Sequence, residues 1–308
     1  MVKRPKKCVP KTLSARRKNT GGINMATFRN QATLAYNGQT TQSNVAVGDI
    51  ISSLTVTKTA VANSYRVGDK VTYVVTLKNA GATALTGLTL TDNLGGYTVG
   101  AGTVYPLTYT AGSLLYYNNG TATTAPTVTT APALTITGIT VPAGGNATLI
   151  YETTVNRFAP PTSGGTVNNI VTVGGTGVTT PAEATETITA SAAPNLVITK
   201  SVSPSSVTEN GILTFTFNIE NYGNTASDTT ANAILTDTFD PVLSNLTATY
   251  NGTAWVLNTD YTYNTATGEF ASLAGKITVP AAAFTQDTTT GAWTVVPGTA
   301  TVVISGTV

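Results

Sequence analysis

The chain has 308 residues, of which 65 are threonine and only 10% are charged. It contains no histidine and one cysteine, which excludes a histidine general base, a histidine metal site and an intrachain disulfide. The abundance of Thr, Val, Ile and Tyr, broken at intervals by Gly, Pro and Asn, predicts an all-β protein. We predict no enzymatic activity and no cofactor.

Residues 1–26 are predicted to form a basic N-terminal arm. Eight of the 16 Lys and Arg residues lie in residues 1–24, which contain no acid, and the rest of the chain has a net charge of −6. A solvated tail is the expected state, polyanion binding is the alternative, and we predict no nucleic-acid partner. Cys8 lies in this arm, so a disulfide there would join two molecules. No apolar run indicates a secretory signal or a membrane span, and Met25 is an alternative start.

Residues 27–53 are predicted to be a β-hairpin followed by a short link. Apolar and polar residues alternate along residues 27–47, and the alternation breaks at Gly38. The same pattern returns in residues 166–187 at a shift of 139, so that Asn30 corresponds to Asn169. The chain therefore contains two copies of one hairpin.

Residues 54–190 and 195–308 are predicted to be two tandem immunoglobulin-like β-sandwich domains. The run Leu54-Thr-Val-Thr-Lys58 returns as Leu196-Val-Ile-Thr-Lys200 at a shift of 142. Strands are predicted in the first domain near 54–60, 70–78, 86–92, 104–109, 134–141 and 146–156. They are predicted in the second near 196–202, 212–220, 231–237, 246–250, 254–257, 276–280 and 299–307. Residues 282–298 are predicted to be an insertion containing a turn.

The order hairpin, domain, hairpin, domain leaves the second domain without its last strand pair. A sandwich in that state exposes a sheet edge and an open core. The first hairpin has no domain before it and is the natural complement. Its predicted donor-strand residues at a subunit interface are Phe28, Asn30, Ala32, Leu34, Tyr36, Val45 and Val47. Because the link is too short to pass the first domain, the hairpin is expected to enter another molecule and to build a fibre.

Residues 54–81 and 196–223 carry a shared motif. Each block has a lysine in its first strand, a Gly-Asp or Asn-Gly turn, and a strand ending in Asn-x-Gly, with a Thr-Asp pair further on. This pattern resembles the repeat family of bacterial and archaeal surface proteins catalogued as domain of unknown function 11, over nearly everything from residue 27 onward. The resemblance implies an extracellular, stalk-like or wall-associated role without a known active site. The signal peptide and wall-sorting tail usual in that family are not apparent.

A period of two places Lys58 and Lys200 on the inward faces of their strands. A buried lysine is costly unless it is paired or neutralised. Gram-positive pilin sandwiches condense such a lysine with Asn or Asp, helped by a buried acid, whereas a lysine that reaches solvent is the alternative. The candidate partners are the acids Asp92 and Asp237, and the amides Asn169 and Asn30 or else Asn79 and Asn221.

We therefore expect a structural subunit of an extracellular filament, pilus-like or spore-appendage-like, that polymerises with itself and attaches to a cell wall or spore surface. The alternative is a monomeric surface adhesin. Its aromatic candidates would be Tyr105, Tyr109, Tyr116 and Tyr117, for which core packing is the competing explanation. Asp237 with Asp240, or Asp92 with Asn93, are calcium candidates that strand-end capping explains better, so we predict no metal site.

Overall fold

The computed structural model describes residues 26–50 and 52–308, which form two compact units divided between residues 52 and 53. Cys8 and the basic arm lie outside the described residues, so the predicted disulfide at Cys8 stays a prediction.

The smaller unit is an antiparallel hairpin. It contains β1 (Ala26–Asn30), β2 (Thr33–Tyr36), β3 (Gln39–Gln42) and β4 (Ala46–Ile50), in which β1 pairs with β4 and β2 with β3. Asn37 and Gly38 have φ of 46° and 75° at its tip, the left-handed conformation that two-residue hairpin turns require. Its large apolar side chains are exposed, namely Phe28, Leu34, Tyr36, Val45 and Val47.

The larger unit begins with a first sandwich of two sheets. Its strands are β5 (Leu54–Ala60), β6 (Ser64–Tyr65), β7 (Lys70–Asn79), β8 (Leu85–Asp92), β9 (Tyr97–Val99), β10 (Gly102–Val104), β11 (Leu107–Tyr109), β12 (Leu115–Asn118), β13 (Thr121–Thr123), β14 (Thr127–Thr129), β15 (Leu134–Val141), β16 (Asn146–Val155), β17 (Thr166–Gly174) and β18 (Ala182–Ala190). One sheet has the order β13-β12-β16-β7-β5, with β11 also on β16. The other has the order β14-β15-β8-β17-β18-β6.

A second sandwich follows. Its strands are β19 (Leu196–Ser203), β20 (Ile212–Asn221), β21 (Thr236–Thr238), β22 (Ser244–Tyr250), β23 (Thr253–Ala254), β24 (Tyr261–Tyr263), β25 (Glu269–Ser272), β26 (Ala283–Gln286), β27 (Trp293–Val296) and β28 (Gly298–Thr307). One sheet has the order β19-β20-β28-β22-β23, the other the order β21-β25-β24, and β26 pairs with β27. The prediction of an all-β chain with two tandem sandwich domains is confirmed.

The alternation of apolar and polar residues fills both cores. Along β7, for example, Val71, Tyr73, Val75 and Leu77 are buried and the residues between them are more exposed. The core of the first sandwich contains 27 buried apolar residues and that of the second contains 13. The second core is therefore the smaller by half, although the two domains share one repeat.

Three strand predictions in the second domain are wrong. The one at 254–257 overlaps a strand only at Ala254, the last residue of β23. Of the predicted strand at 231–237, only its end is in β21, because the Asp228 carboxylate accepts the Thr230 N–H at 2.9 Å and caps a 3-10 turn, Thr229–Ala231. The predicted strand at 276–280 is reduced to one bridge between Val279 and Ser227. The insertion predicted at 282–298 contains a hairpin, β26 and β27.

The two sandwiches contact each other through loops and the β26–β27 hairpin. The Gln286 side-chain amide donates to the Tyr97 hydroxyl at 2.8 Å, and the backbone N–H of Trp293 donates to the Arg157 carbonyl at 3.0 Å. The Leu196 end of β19 faces the first sandwich, because the preceding residue, Asn195, lines one cavity together with Tyr65 and Arg66.

Candidate functional site

The second sandwich has a strand edge that its counterpart in the first sandwich does not have. In the first sandwich β8 lies between β15 and β17, with Asp92 opposite Val171 and Leu90 opposite Val173. In the second, the equivalent strand β21 pairs with β25, and no strand of the described chain lies on its other side. One edge of β21 is thus left open to a further strand.

An open apolar groove accompanies this edge. Every residue of β19 is exposed, including Ile198 at 50%, whereas the equivalent strand β5 buries Leu54 and Lys58. We call this surface the open groove; its lining residues are Leu196, Val197, Ile198, Ile219, Ala233, Ile234, Leu235 and Ile277. Exposed apolar side chains gathered in one groove are typical of an interaction surface.

Strands β17 and β18 fill the same position in the first sandwich. The inward side chains of β17, spaced by two, are Val167, Asn169, Val171 and Val173, all buried. Ile188 and Ala190 of β18 are buried too. The open groove therefore corresponds to the absence of one strand pair.

The hairpin of residues 26–50 matches the strand pair that the second sandwich lacks. At the shift of 139, its residues Phe28, Asn30, Ala32 and Leu34 correspond to the four inward residues of β17. In the first sandwich, Val171 and Val173 of β17 lie opposite Asp92 and Leu90 of β8. The same register in the second sandwich would place Ala32 opposite Asp237 and Leu34 opposite Leu235. The hairpin thus carries three apolar side chains and one asparagine at the spacing of the inward residues of β17.

A buried ionic cluster lies between the sheets of the first sandwich. The Lys58 ammonium lies 2.8 Å from Asp92 Oδ2, and both side chains are completely buried. The Tyr151 hydroxyl donates to the same oxygen, and Asp92 Oδ1 accepts the Leu94 N–H at 2.7 Å. This acid is therefore fixed in position by three donors.

Asn169 completes the cluster. Its Nδ2 lies 3.5 Å from Asp92 Oδ2, and its Oδ1 is buried with no hydrogen-bond partner in the described structure. Asn79, the other amide that the sequence offers, instead donates to the Thr83 carbonyl at 2.8 Å and stabilises a turn. Of the two alternatives, the structure thus brings only Asn169 to Lys58.

Burial dominates the electrostatics of the cluster. It lowers the pKa of Lys58 to about 8, although Asp92 and the more distant Glu186 oppose this shift. The Tyr73 ring lies 4.7 Å from the Lys58 ammonium, in cation–π contact. Burial also raises the pKa of Tyr73 and of Tyr151 well above their ordinary value. A neutral lysine is therefore accessible in this site near physiological pH.

The equivalent cluster in the second sandwich is partly exposed. Lys200 Nζ lies 2.5 Å from Asp237 Oδ2, with the two side chains 41% and 17% exposed. The rings of Phe215, Phe217 and Phe239 lie 4.9–5.4 Å from the ammonium. Asn221 is held in a turn by the Thr225 and Pro280 carbonyls, so no amide of the second sandwich meets this pair.

Sequence reasoning missed Tyr73 and Tyr151 as parts of the buried cluster. Both follow the inward alternation of their strands, which is the available signal. The aromatic candidates for an adhesin are mostly structural: Tyr116 is buried and its hydroxyl donates to the Thr140 carbonyl, and Tyr105 and Tyr109 pack on the core. Tyr117 is half-buried on β12.

A cavity lies at the contact between the two sandwiches. Arg66 and Arg157 line it, together with Tyr222, Phe284 and Trp293. The Trp293 indole N–H is buried without a hydrogen-bond partner among the described side chains. Within residues 26–50 and 52–308, no group of three or more His, Cys, Asp or Glu is placed to hold a metal ion. No helix in this part of the chain is long and apolar enough to cross a membrane.

No family model and no curated protein matches the chain. Solved structures similar to it include the pilus backbone RrgB from Streptococcus pneumoniae (16% identity, 79% of this chain and 54% of that one, TM-score 0.32). Another is the major pilin SpaD from Corynebacterium diphtheriae (12% identity, 72% of this chain and 49% of that one, TM-score 0.33). A third is a family 123 glycoside hydrolase from Clostridium perfringens (10% identity, 45% of this chain and 27% of that one, TM-score 0.30). The chain spans about half the length of each pilin and 27% of the glycoside hydrolase. TM-scores this low assign no function to the chain.

Proposed function

We propose that the protein is a structural subunit of an extracellular filament, in which the hairpin of one molecule completes the second sandwich of the next. The observation that carries this proposal is the open edge of β21, because its counterpart β8 is covered by the chain's own hairpin, β17 and β18. Every molecule also carries a hairpin with an asparagine and three apolar residues at the positions that correspond to the inward residues of β17.

The hairpin belongs in another molecule because its own second sandwich is out of reach. In the first sandwich β18 ends beside Tyr65, whose counterpart at a shift of 142 is Val207, so β4 should end beside Val207. Residues 51–53, which join β4 to Leu54, span at most about 14 Å. Leu54 is the first residue of β5, and Val207 follows β19, which ends at Ser203. Strands of seven and eight residues laid end to end cover about 50 Å, which the link cannot span.

Exposure at the far end of the second sandwich agrees with this placement. Tyr65 is 1% exposed under the end of β18, and Val207 is 38% exposed. Docking of β4 would cover Val207 and the open groove together. The gain is on the order of 1.5–3 kcal/mol for each large apolar side chain that becomes buried, such as Leu34.

Such a contact joins two different surfaces and therefore propagates into a fibre unless it closes into a ring. The proposed role is structural and non-enzymatic, with a second copy of the chain as its partner. The resemblance of both domains to bacterial and archaeal surface repeats favours a place on a cell or spore surface. The added strand is held mainly by backbone hydrogen bonds, and alternate side chains give specificity.

Electron microscopy of the purified full chain tests this function. We expect fibres from the full chain and dispersed particles from a chain that begins at residue 51. A synthetic peptide of residues 26–50 should then raise the melting temperature of the second sandwich in the shortened chain. Fibres of unchanged yield from the shortened chain would refute the proposal.

A surface-binding module is the second candidate, favoured by the cavity between the sandwiches. Arg66 and Arg157 offer cationic groups, and Trp293 offers an unpaired N–H. This set suits a ligand that combines a carboxylate with a flat apolar face. A glycan array that shows binding to acidic sugars, lost in Arg157→Ala, would support it.

A further inference from the structure

Two side chains from two strands converge on one carboxylate oxygen of a third strand in the first sandwich. The Lys58 ammonium lies 2.8 Å and the Asn169 amide nitrogen 3.5 Å from Asp92 Oδ2. Lys58 is on β5 in one sheet, whereas Asp92 and Asn169 are on β8 and β17 in the other. A bond between Lys58 and Asn169 would therefore fasten the two sheets to each other.

We propose that Lys58 Nζ and Asn169 Cγ form an amide bond in the folded first sandwich, without an enzyme or a cofactor. The site is a modification site within one chain and does not depend on the filament. The buried Asn169 Oδ1 has no hydrogen-bond partner in the described structure, so this oxygen can accept a hydrogen bond when negative charge develops on it.

The reaction balances with the groups present. Lys58 first gives one proton to Asp92, which leaves a neutral amine and a neutral carboxylic acid. The amine attacks Asn169 Cγ and forms the new C–N bond. Asp92 then passes its proton to Nδ2 and receives one from the attacking nitrogen, the Cγ–Nδ2 bond breaks, and ammonia leaves. The products are the Lys58–Asn169 amide, ammonia and protonated Asp92, with no electron transferred.

The surroundings favour each of these steps. Burial lowers the pKa of Lys58, which makes the neutral amine available. The Tyr151 hydroxyl donates to Asp92 and orients it between the two nitrogens. The Tyr73 hydroxyl lies beside Asn169 without a well-formed hydrogen bond, so it is free to donate to the oxygen on which negative charge develops. Holding both reactants in place removes the entropy cost of an encounter.

The intact mass of the denatured full chain tests the proposal. We expect the chain to weigh about 17 Da less than its sequence requires, because one ammonia is lost. Digestion should release a branched peptide in which Lys58 is joined to Asn169. A succinimide at an Asn-Gly sequence also loses ammonia, so the branched peptide, identified by fragmentation, is the deciding readout.

Matched variants separate the reaction from general effects of substitution. Lys58→Ala, Asn169→Ala and Asp92→Ala should each restore the mass that their sequence requires. Asn168→Ala and Lys70→Ala should keep the deficit, since Asn168 faces outward on β17 and Lys70 forms a surface pair with Glu152 at 2.9 Å. A wild-type chain of full mass without the branched peptide overturns the proposal, and this measurement requires no variant to fold.

Discussion

The Lys58 ammonium lies 2.8 Å from Asp92 with neither side chain exposed, whereas the equivalent pair, Lys200 and Asp237, remains partly open to solvent. The two pairs occupy the same position in two repeats. Strands β17 and β18 cover the first pair, and no strand of the described chain covers the second. One molecule thus contains a completed site and an uncompleted one.

The stability of the Asn169→Ala variant should depend on pH through Lys58, which cannot react in it. Burial lowers the pKa of Lys58 to about 8 from 10.5, so the unfolded chain binds more protons than the folded chain between these values. The free energy of unfolding should therefore rise by about 2 kcal/mol from about pH 7.5 to about pH 9.5. Urea denaturation across this range measures it.

The control is the double variant Lys58→Ala/Asn169→Ala. The groups that face Lys58, namely Asp92, Glu186, Tyr73 and Tyr151, are the same in both proteins. The raised pKa values of the two tyrosines destabilise the folded chain above about pH 10 in both, which sets the upper limit of the range. Equal pH slopes in the single and double variants would contradict the assignment to Lys58.

A second amide bond is expected at each filament joint, if both proposals hold. Docking in the register of β17 brings Asn30 of the incoming hairpin to Lys200 and Asp237, and encloses the pair. Boiling wild-type filaments in detergent with a reductant should then give a ladder of covalent oligomers, since the reductant removes any disulfide at Cys8.

Lys200→Ala filaments should form and then separate into monomers in hot detergent, because only noncovalent pairing remains at the joint. Lys276→Ala is the matched control, since Lys276 forms a partly exposed pair with Asp260 at 2.9 Å. Wild-type filaments that dissolve entirely into monomers would exclude the bond at the joint, and would leave the bond within the first sandwich untouched.

One face of the hairpin should control assembly. Leu34→Asp places a charge on the face that we propose to enter the open groove, where burying an unpaired charge is strongly unfavourable. We expect at least a tenfold rise in the concentration needed for assembly, roughly the effect of 1.4 kcal/mol or more. Thr33→Asp, on the opposite face, is the control. Light scattering measures both, and equal effects would contradict the predicted face.

Repeated residues explain what the sequence could predict. The alternation along each strand predicts the two sandwiches and the inward lysines. The shared runs around Lys58 and Lys200 reveal the repeat, and with it the additional hairpin before the first domain. The choice between Asn79 and Asn169 could not be made, because it depends on the register of β17 against β8, which no local pattern sets. Tyr151 was missed because its counterpart, Ile304, lacks a hydroxyl.

Short local interactions explain the wrong strands. The Asp228 cap starts a 3-10 turn that ends at Ala231, and Asn232 then has a φ of 51°, a left-handed conformation that interrupts a strand at 231–237. Around Val279 only one bridge forms, to Ser227. Neither feature alters the apolar pattern from which strands were predicted, so the pattern alone could not exclude them.

A disulfide between chosen positions on two molecules tests the central claim most directly. Thr172 lies opposite Thr91 in the first sandwich, so Thr33 of one molecule should lie opposite Thr236 of the next. Tagged Thr33→Cys chains are mixed with untagged Thr236→Cys chains, both with Cys8→Ser, and oxidised. Thr262→Cys on β24, away from the open edge, replaces Thr236→Cys in the control.

We predict disulfide-linked mixed dimers for the Thr33 and Thr236 pair and none for the control. A single chain carrying both cysteines should form linked oligomers. Absence of mixed dimers, together with an internal disulfide in the monomeric double-cysteine chain, would contradict insertion of the hairpin into a neighbouring molecule.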